Sequence, residues 1–71
     1  MLRRTVDSSV ITSVGYDAKT NVLEVEFRTG RIYQYFLVPQ SVYRELMRAD
    51  SIGKYFNAEI RGSYNEVPIG R

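Results

Sequence analysis

The sequence contains no cysteine and no histidine. Without cysteine the chain can form neither a disulfide framework nor a thiolate metal site. These two absences also remove the commonest general base and the best thiol nucleophile of enzymes. The acidic residues show no metal-ligand spacing. We therefore expect a protein that binds a partner, catalyses no reaction and requires no metal or cofactor.

Long apolar segments are missing as well. A membrane-spanning helix needs about eighteen or more apolar residues in a row, and the sequence has no such run. Residues 1–7 also lack the apolar segment of a secretory signal. The absence of cysteine agrees with a reducing compartment. We expect a cytoplasmic protein without a membrane partner.

The chain of 71 residues is long enough for one domain, over residues 1–71, with an ordered core at about 8–64. The segments 1–7 and 65–71 are expected to be frayed ends. Ten lysines and arginines stand against eight acidic residues, which gives a net charge of +2. Such a small excess neither requires nor excludes a nucleic-acid partner. Whether nucleic acid can bind depends on whether the cations share one face.

Three segments, 9–16, 23–27 and 31–38, are rich in β-branched and aromatic residues and predict strands. The second segment alternates apolar residues with Glu24 and Glu26, which predicts a half-buried strand with an exposed acidic face. Both connections between the strands are short, which favours an antiparallel meander.

Two helices are predicted after the strands. Pro39 suits a first helical turn, and apolar residues recur behind it at helical spacing. Ser51 can cap a second helix over 52–60. The first apolar stripe comprises Val42, Leu46 and Ala49, and the second comprises Ile52, Phe56 and Ile60. The predicted fold is α+β, a three-stranded antiparallel β-meander followed by two short helices packed on one face.

The turn between the second and third strands decides which way two tyrosines point. A two-residue loop would force the β-branched Thr29 to a positive φ, whereas a three-residue loop over 28–30 requires this only of Gly30. The longer loop, which turn chemistry favours, puts Tyr33 and Tyr35 on the apolar face of the second strand. The shorter loop would put them beside its glutamates. The predicted core is Leu23, Val25, Phe27, Leu46 and Phe56, with Val42, Ala49, Ile52 and Ile60 beside it.

An ordered set of motifs resembles the KTSC family, which is named for a short domain at the C-terminus of some lysyl-tRNA synthetases and also occurs as a free-standing bacterial protein. The resemblance covers roughly residues 8–64 and implies RNA binding, inferred from the attachment to the synthetase. The synthetase's catalytic motifs are absent, so aminoacylation is not implied. The matching motifs are Tyr16-Asp17, Tyr33-x-Tyr35, Val38-Pro39 and the run over 49–61.

Four cations in the helical region are candidates for phosphate contact. Arg44 and Arg48 stand four residues apart and share a helix face, while Lys54 and Arg61 belong to the second helix. The favoured alternative is an ordinary solvated helix surface, on which Glu45 and Asp50 dilute the positive charge. With these cations, Tyr33 and Tyr35 are the predicted nucleic-acid-binding residues, because bases can stack on tyrosines. For the two tyrosines the favoured alternative is core packing with the hydroxyl at the surface.

Ser51, Gly53 and Lys54 form a third candidate, an anion site at the start of the second helix. The favoured alternative is a serine cap, with Gly53 permitting close packing. As a rival to RNA, the partner of the whole domain can be a protein that binds an open edge strand or a helix face.

Overall fold

The computed structural model describes residues 1–70. In this part of the chain, five strands form one antiparallel sheet in the order β1-β2-β3-β4-β5. The strands are β1 (Arg3–Thr5), β2 (Ile11–Asp17), β3 (Val22–Phe27), β4 (Ile32–Tyr35) and β5 (Glu66–Ile69). Helix α1 (Gln40–Arg48) and helix α2 (Ile52–Tyr55), which continues into a π-helical turn (Phe56–Ile60), lie between β4 and β5. The α+β class is confirmed, but the predicted number of three strands is wrong.

The first unpredicted strand, β1, forms one edge of the sheet, and its Arg3 side chain covers part of the sheet face that lies away from the helices. Arg3 stands opposite Gly15 of β2, and its Nε donates a hydrogen bond to Ser13 Oγ at 2.9 Å. The Arg3 guanidinium forms an ion pair with Glu24 of β3, which is only 5% exposed. The expectation that Glu24 and Glu26 form an exposed face is therefore wrong for Glu24, because Arg3 covers and neutralises it.

The second unpredicted strand, β5, forms the other edge of the sheet. It places Glu66 opposite Tyr35 and Pro68 opposite Tyr33, so these side chains lie on the helix side of the sheet. Proline has no backbone N–H and is confined to edge positions of this kind. A strand of four residues that contains a proline gives little sequence signal, which explains why we expected a frayed end here.

The predicted three-residue hairpin loop is confirmed. The Phe27 N–H donates to the Arg31 carbonyl at 2.8 Å, and the Gly30 N–H donates to the Phe27 carbonyl at 2.9 Å. Gly30 has the positive φ of 95° that this loop requires. Tyr33 and Tyr35 consequently pair with apolar residues of β3 and share their face.

Both helices lie where the sequence predicted them. Pro39 is extended and immediately precedes α1, and Ser51 caps α2 by accepting a hydrogen bond from the Lys54 N–H at 3.2 Å. The wide turn that follows is closed by the Arg61 N–H, which donates to the Phe56 carbonyl at 2.9 Å. This i→i+5 bond defines a π-helix, and α2 with its π-turn fills the predicted range 52–60.

The core lies between the helices and one face of the sheet. Four of the five residues predicted for its centre are fully buried, whereas Phe27 is half-buried at its edge. A bulge between Ile11 and Ser13 in β2 shifts the register, so that Ile11 and Val14 both face the core. The buried hydrophobic residues are Ile11, Val14, Leu23, Val25, Tyr35, Val38, Leu46, Phe56 and Ile60.

Within the described residues, no helix is long and apolar enough to cross a membrane.

Candidate functional site

A cleft of about 480 Å³ opens between the β3–β4 hairpin, β5 and the end of the π-turn. We call it the tyrosine–arginine cleft. Its polar lining side chains include Arg28, Arg31, Arg61, Tyr33, Tyr35 and Glu66. Three cations thus face one carboxylate around a partly apolar floor, which gives the cleft a net positive charge.

One row of side chains along β4 forms a wall of the cleft. Arg31, Tyr33 and Tyr35 alternate along the chain and therefore share one face. Arg31 is exposed, Tyr33 is half-buried and Tyr35 is 2% exposed. The row thus runs from a charged mouth at the hairpin to an aromatic interior beside the helices.

Phe27, Tyr33 and Tyr35, which line the cleft, form a closed cycle of four aromatic rings with the buried Phe56. Phe27 contacts Tyr33 and Phe56 edge to face, with ring centroids 5.9 and 5.3 Å apart. Tyr35 contacts Phe56 in the same way at 5.4 Å and lies 6.4 Å from Tyr33. Each edge-to-face pair stabilises the fold by about 0.5–1.5 kcal/mol beyond simple burial. The cycle therefore holds Tyr33 in place and joins the sheet to the π-turn.

The Tyr35 hydroxyl stays protonated in the cleft. Burial raises the pKa of Tyr35 well above its usual value of 10.0, and the Glu66 carboxylate opposite raises this pKa further. The Arg61 guanidinium lowers this pKa, but by less than burial and Glu66 raise it. The inner end of the cleft thus has a neutral, buried hydroxyl, and the exposed residues Glu66 and Arg61 add one charge of each sign beside it.

The three arginines of the cleft keep their charge available to a ligand. Arg28 Nε donates to the Ser8 carbonyl at 3.0 Å, and Arg61 Nη1 donates to Asn57 Oδ1 at 3.3 Å. None of the three comes within 4.0 Å of a carboxylate of residues 1–70. Neutral partners orient Arg28 and Arg61 without neutralising them.

The structure brings together only some of the predicted nucleic-acid-binding residues. Tyr33, Tyr35 and Arg61 meet in the cleft, but Arg44 and Arg48 of α1 do not line it. Arg48 Nη2 forms an ion pair with Glu45 at 3.0 Å, in which both side chains are largely exposed.

Arg44 lies near a second tyrosine pair. Tyr16 and Tyr43 stack with ring centroids 4.8 Å apart, and the Tyr16 hydroxyl donates to the Val38 carbonyl at 2.6 Å. Burial raises the pKa of Tyr16, while the positive charge of Arg44 opposes this rise. This pair fastens the chain ahead of α1 to the sheet, and any phosphate contact by Arg44 stays a prediction.

The predicted anion site lies in a separate groove. Ser51, Gly53 and Lys54 line it together with the acidic residues Asp7 and Asp50. The Ser51 hydroxyl already accepts from the Lys54 N–H, and a Cβ on Gly53 would lie 3.3 Å from Val10. Capping and close packing thus account for Ser51 and Gly53, and anion binding by the three residues stays a prediction.

Sequence reasoning missed Arg28 and Arg31 as site residues. The three-residue loop already placed Phe27 opposite Arg31, which puts Arg31 on the face of Tyr33 and Tyr35. That register was therefore a sufficient signal for Arg31. No comparable signal existed for Glu66, because its strand was not predicted.

The two edge strands of the sheet are the places where a protein partner could add a strand. Edge strand β1 has three residues and β5 has four, and Pro68 removes one donor from β5. Short edges of this kind offer few hydrogen bonds to an added strand. Binding of a protein at an edge or a helix face stays a prediction.

Among residues 1–70, no three acidic side chains come together in a group that would hold a metal ion.

These features define a small α+β domain with an antiparallel sheet, one helical layer and a cationic cleft with an aromatic floor. A family model for the KTSC domain matches residues 7–64. The chain therefore belongs to the KTSC domain family, as its motifs predicted.

Comparisons with known proteins agree with this assignment. A KTSC domain protein from Yersinia pestis, known from its crystal structure, superposes with a TM-score of 0.95, at 39% identity and 97% coverage of both chains. An uncharacterised protein from Stutzerimonas stutzeri is 46% identical over 57 residues, which is 80% of each chain.

A different kind of relative is a much longer protein. A lysine–tRNA ligase from Nostoc punctiforme is 43% identical over 58 residues, which cover 82% of this chain but only 10% of the ligase. A lysine–tRNA ligase from Trichormus variabilis matches in the same way, with 40% identity and 10% coverage of the ligase. The domain thus corresponds to a small segment of these ligases.

Proposed function

We propose that the chain is a non-catalytic RNA-binding domain whose binding site is the tyrosine–arginine cleft. The observation that carries this proposal is that Arg28, Arg31 and Arg61 line one cleft with Tyr33 and Tyr35. Cations supply affinity for the RNA backbone, and aromatic side chains supply contacts to bases.

The state of the arginines supports contact with phosphate. Guanidinium groups bind phosphate oxygens through paired N–H donors. Because Arg28, Arg31 and Arg61 have no carboxylate of residues 1–70 within 4.0 Å, a phosphate does not have to displace an ion pair. Arg48, by contrast, already has the carboxylate of Glu45 as a partner. The cleft thus offers three arginines outside ion-pair distance of the carboxylates of residues 1–70, whereas α1 offers only Arg44.

The relatives support RNA as the source of the phosphate. Two proteins with a segment similar to this chain are lysine–tRNA ligases by name. An RNA-binding segment is an economical explanation for its presence in a protein that acts on tRNA. We propose the same binding activity for the separate domain, with tRNA or another structured RNA as partner.

The test is a titration of the purified domain with labelled tRNA at several salt concentrations, with duplex DNA of unrelated sequence as the control. Each phosphate contact lowers the slope of log affinity against log salt by about 0.7–0.9. Contacts from three arginines therefore predict a slope of about −2 to −3. Absence of tRNA binding at low salt, or affinity that does not change with salt, contradicts the proposal.

A further inference from the structure

We infer that the part of the RNA held in the tyrosine–arginine cleft is a single unpaired nucleotide, which enters with its base first and leaves its phosphate at the mouth. This inference rests on the proposed function and specifies the ligand of the same site.

Exposure and charge both change along the length of the cleft. The mouth is the hairpin, where Arg28 and Arg31 are exposed. The interior is formed by Tyr33 and by Tyr35, which is 2% exposed. A ligand with an apolar planar end and an anionic end fits this gradient in one direction only. A nucleotide has these two ends, its base and its phosphate.

The two ends of the cleft also differ in charge. Glu66 stands opposite Tyr35 and acts on the pKa of its hydroxyl together with Arg61. The Tyr35 end of the cleft therefore has one exposed charge of each sign, whereas the hairpin end has two cations. A phosphate is attracted to the mouth and gains little deeper in the cleft. A carboxylate accepts hydrogen bonds, so Glu66 favours a base that presents an amino group.

The concave shape of the cleft also favours an unpaired nucleotide. A volume of about 480 Å³ lies within the range of small-molecule pockets, roughly 300–1,000 Å³. Double-stranded RNA presents its phosphates and 2′-hydroxyl groups on a broad surface, whereas an unpaired base can leave the helix and enter a pocket beside aromatic side chains. Tyr33, held by the aromatic cycle, is the side chain placed for such a contact.

The experiment compares four RNA probes by fluorescence anisotropy. They are a labelled single strand of eight nucleotides, the same strand in a duplex, the strand with one abasic site, and a strand of uridines only. We expect the single strand to bind at least tenfold tighter than the duplex. An abasic site at the bound nucleotide, found by moving it along the strand, should weaken binding about 5- to 150-fold.

Two variants separate the base contact from the phosphate contact. Tyr33→Leu keeps an apolar side chain at this position but removes the ring, so it should abolish the difference between intact and abasic strands and leave the salt dependence unchanged. Arg31→Gln should reduce the salt dependence and preserve that difference. Tyr33→Phe keeps the ring and should retain the difference between intact and abasic strands, which attributes the loss in Tyr33→Leu to the ring. Glu66→Gln should reduce the preference for amino-bearing bases over uridine.

The outcomes distinguish this inference from the proposed function. Equal affinity for single strand and duplex, or no loss at any abasic position, overturns the base-first nucleotide but leaves RNA binding intact. Salt-dependent binding that Tyr33→Leu does not alter has the same consequence. If neither these probes nor tRNA binds at low salt, the proposed function fails, and the inference fails with it.

Discussion

Tyr35 and Glu66 lie directly opposite each other where β4 meets β5. The most buried side chain of the tyrosine–arginine cleft thus faces a carboxylate from the last strand of the sheet. β5 therefore completes the cleft as well as the sheet. The same pair links stability to the proposed binding, because Tyr35 belongs both to the core and to the cleft.

Replacement of Tyr35 by alanine should strongly destabilise the domain. The change removes a buried ring that contacts Phe56 edge to face, and such losses cost about 3–5 kcal/mol. In a domain of this size each kcal/mol lowers the melting temperature by about 4–8 °C. Tyr35→Phe keeps the ring and should cost less than about 1.5 kcal/mol. An unchanged melting temperature for Tyr35→Ala would show that the ring is not part of the core.

Stability should decrease in alkaline solution, partly because of Tyr35. Its pKa is raised in the folded chain above the value of 10.0 for an unperturbed tyrosine. Folding therefore favours the protonated hydroxyl, and this contribution is complete below pH 10 and is lost as the pH rises toward the folded pKa. We expect urea unfolding between pH 8 and about 11.5 to show this loss, and Tyr35→Phe to show a smaller one. An identical pH dependence in both proteins would exclude Tyr35 as a cause.

Arg3 should contribute more to stability than its neighbour Arg4. Arg3 neutralises Glu24, and their side chains are 27% and 7% exposed, whereas Arg4 is exposed. Arg3→Ala would leave a buried carboxylate without its cation, at a cost of about 1–3 kcal/mol after allowance for partial exposure. Arg4→Ala should change the free energy of unfolding by less than about 0.5 kcal/mol.

A double variant checks the cause of this effect. Arg3→Met combined with Glu24→Gln removes both charges, so it should be more stable than Arg3→Ala. If Arg3→Ala and Arg4→Ala are equally stable in chemical denaturation, the ion pair does not hold β1 to the sheet.

Gly15 should be required for the docking of β1. A Cβ at this position would lie 2.6 Å from the Leu2 carbonyl oxygen, which forces the backbone of β1 to move. Gly15→Ala should cost about 1–3 kcal/mol and should increase hydrogen exchange in β1. Gly30→Ala is the control, because a Cβ there meets no atom within 4 Å and the cost arises from its positive φ alone. Unchanged exchange in β1 of Gly15→Ala would contradict this packing.

Sequence patterns predicted the central part of the fold, because local chemistry determines it. The positive φ of Gly30 selected the hairpin loop, and Ser51 marked the start of the second helix. The two edge strands were not predictable in this way. The position of β1 depends on the distant contact between Arg3 and Glu24, and β5 is short and contains Pro68.

The candidate site was predictable to a similar degree. Tyr33, Tyr35 and Arg61 were predicted and do meet in the cleft. Arg31 follows from the hairpin register, although it was not singled out. Glu66 was not predictable, because only the folded sheet brings it to Tyr35. The helical pattern also shows that Arg44 and Arg48 share a face, and the i,i+3 spacing of Glu45 and Arg48 was a sequence signal for their ion pair.

A comparison of two double charge reversals in tRNA binding tests directly whether the tyrosine–arginine cleft is the RNA-binding site. Arg31→Glu with Arg61→Glu alters the tyrosine–arginine cleft, and Arg44→Glu with Arg48→Glu alters the surface of α1. Both variants change the net charge of the chain by the same amount, so a general electrostatic effect would weaken binding equally. Circular dichroism establishes that both are folded.

We expect reversal in the cleft to abolish measurable tRNA binding at low salt, and reversal on α1 to weaken it only a few-fold. Equal losses of tRNA affinity in the two variants, or a loss confined to the α1 variant, would contradict the assignment of RNA binding to the cleft.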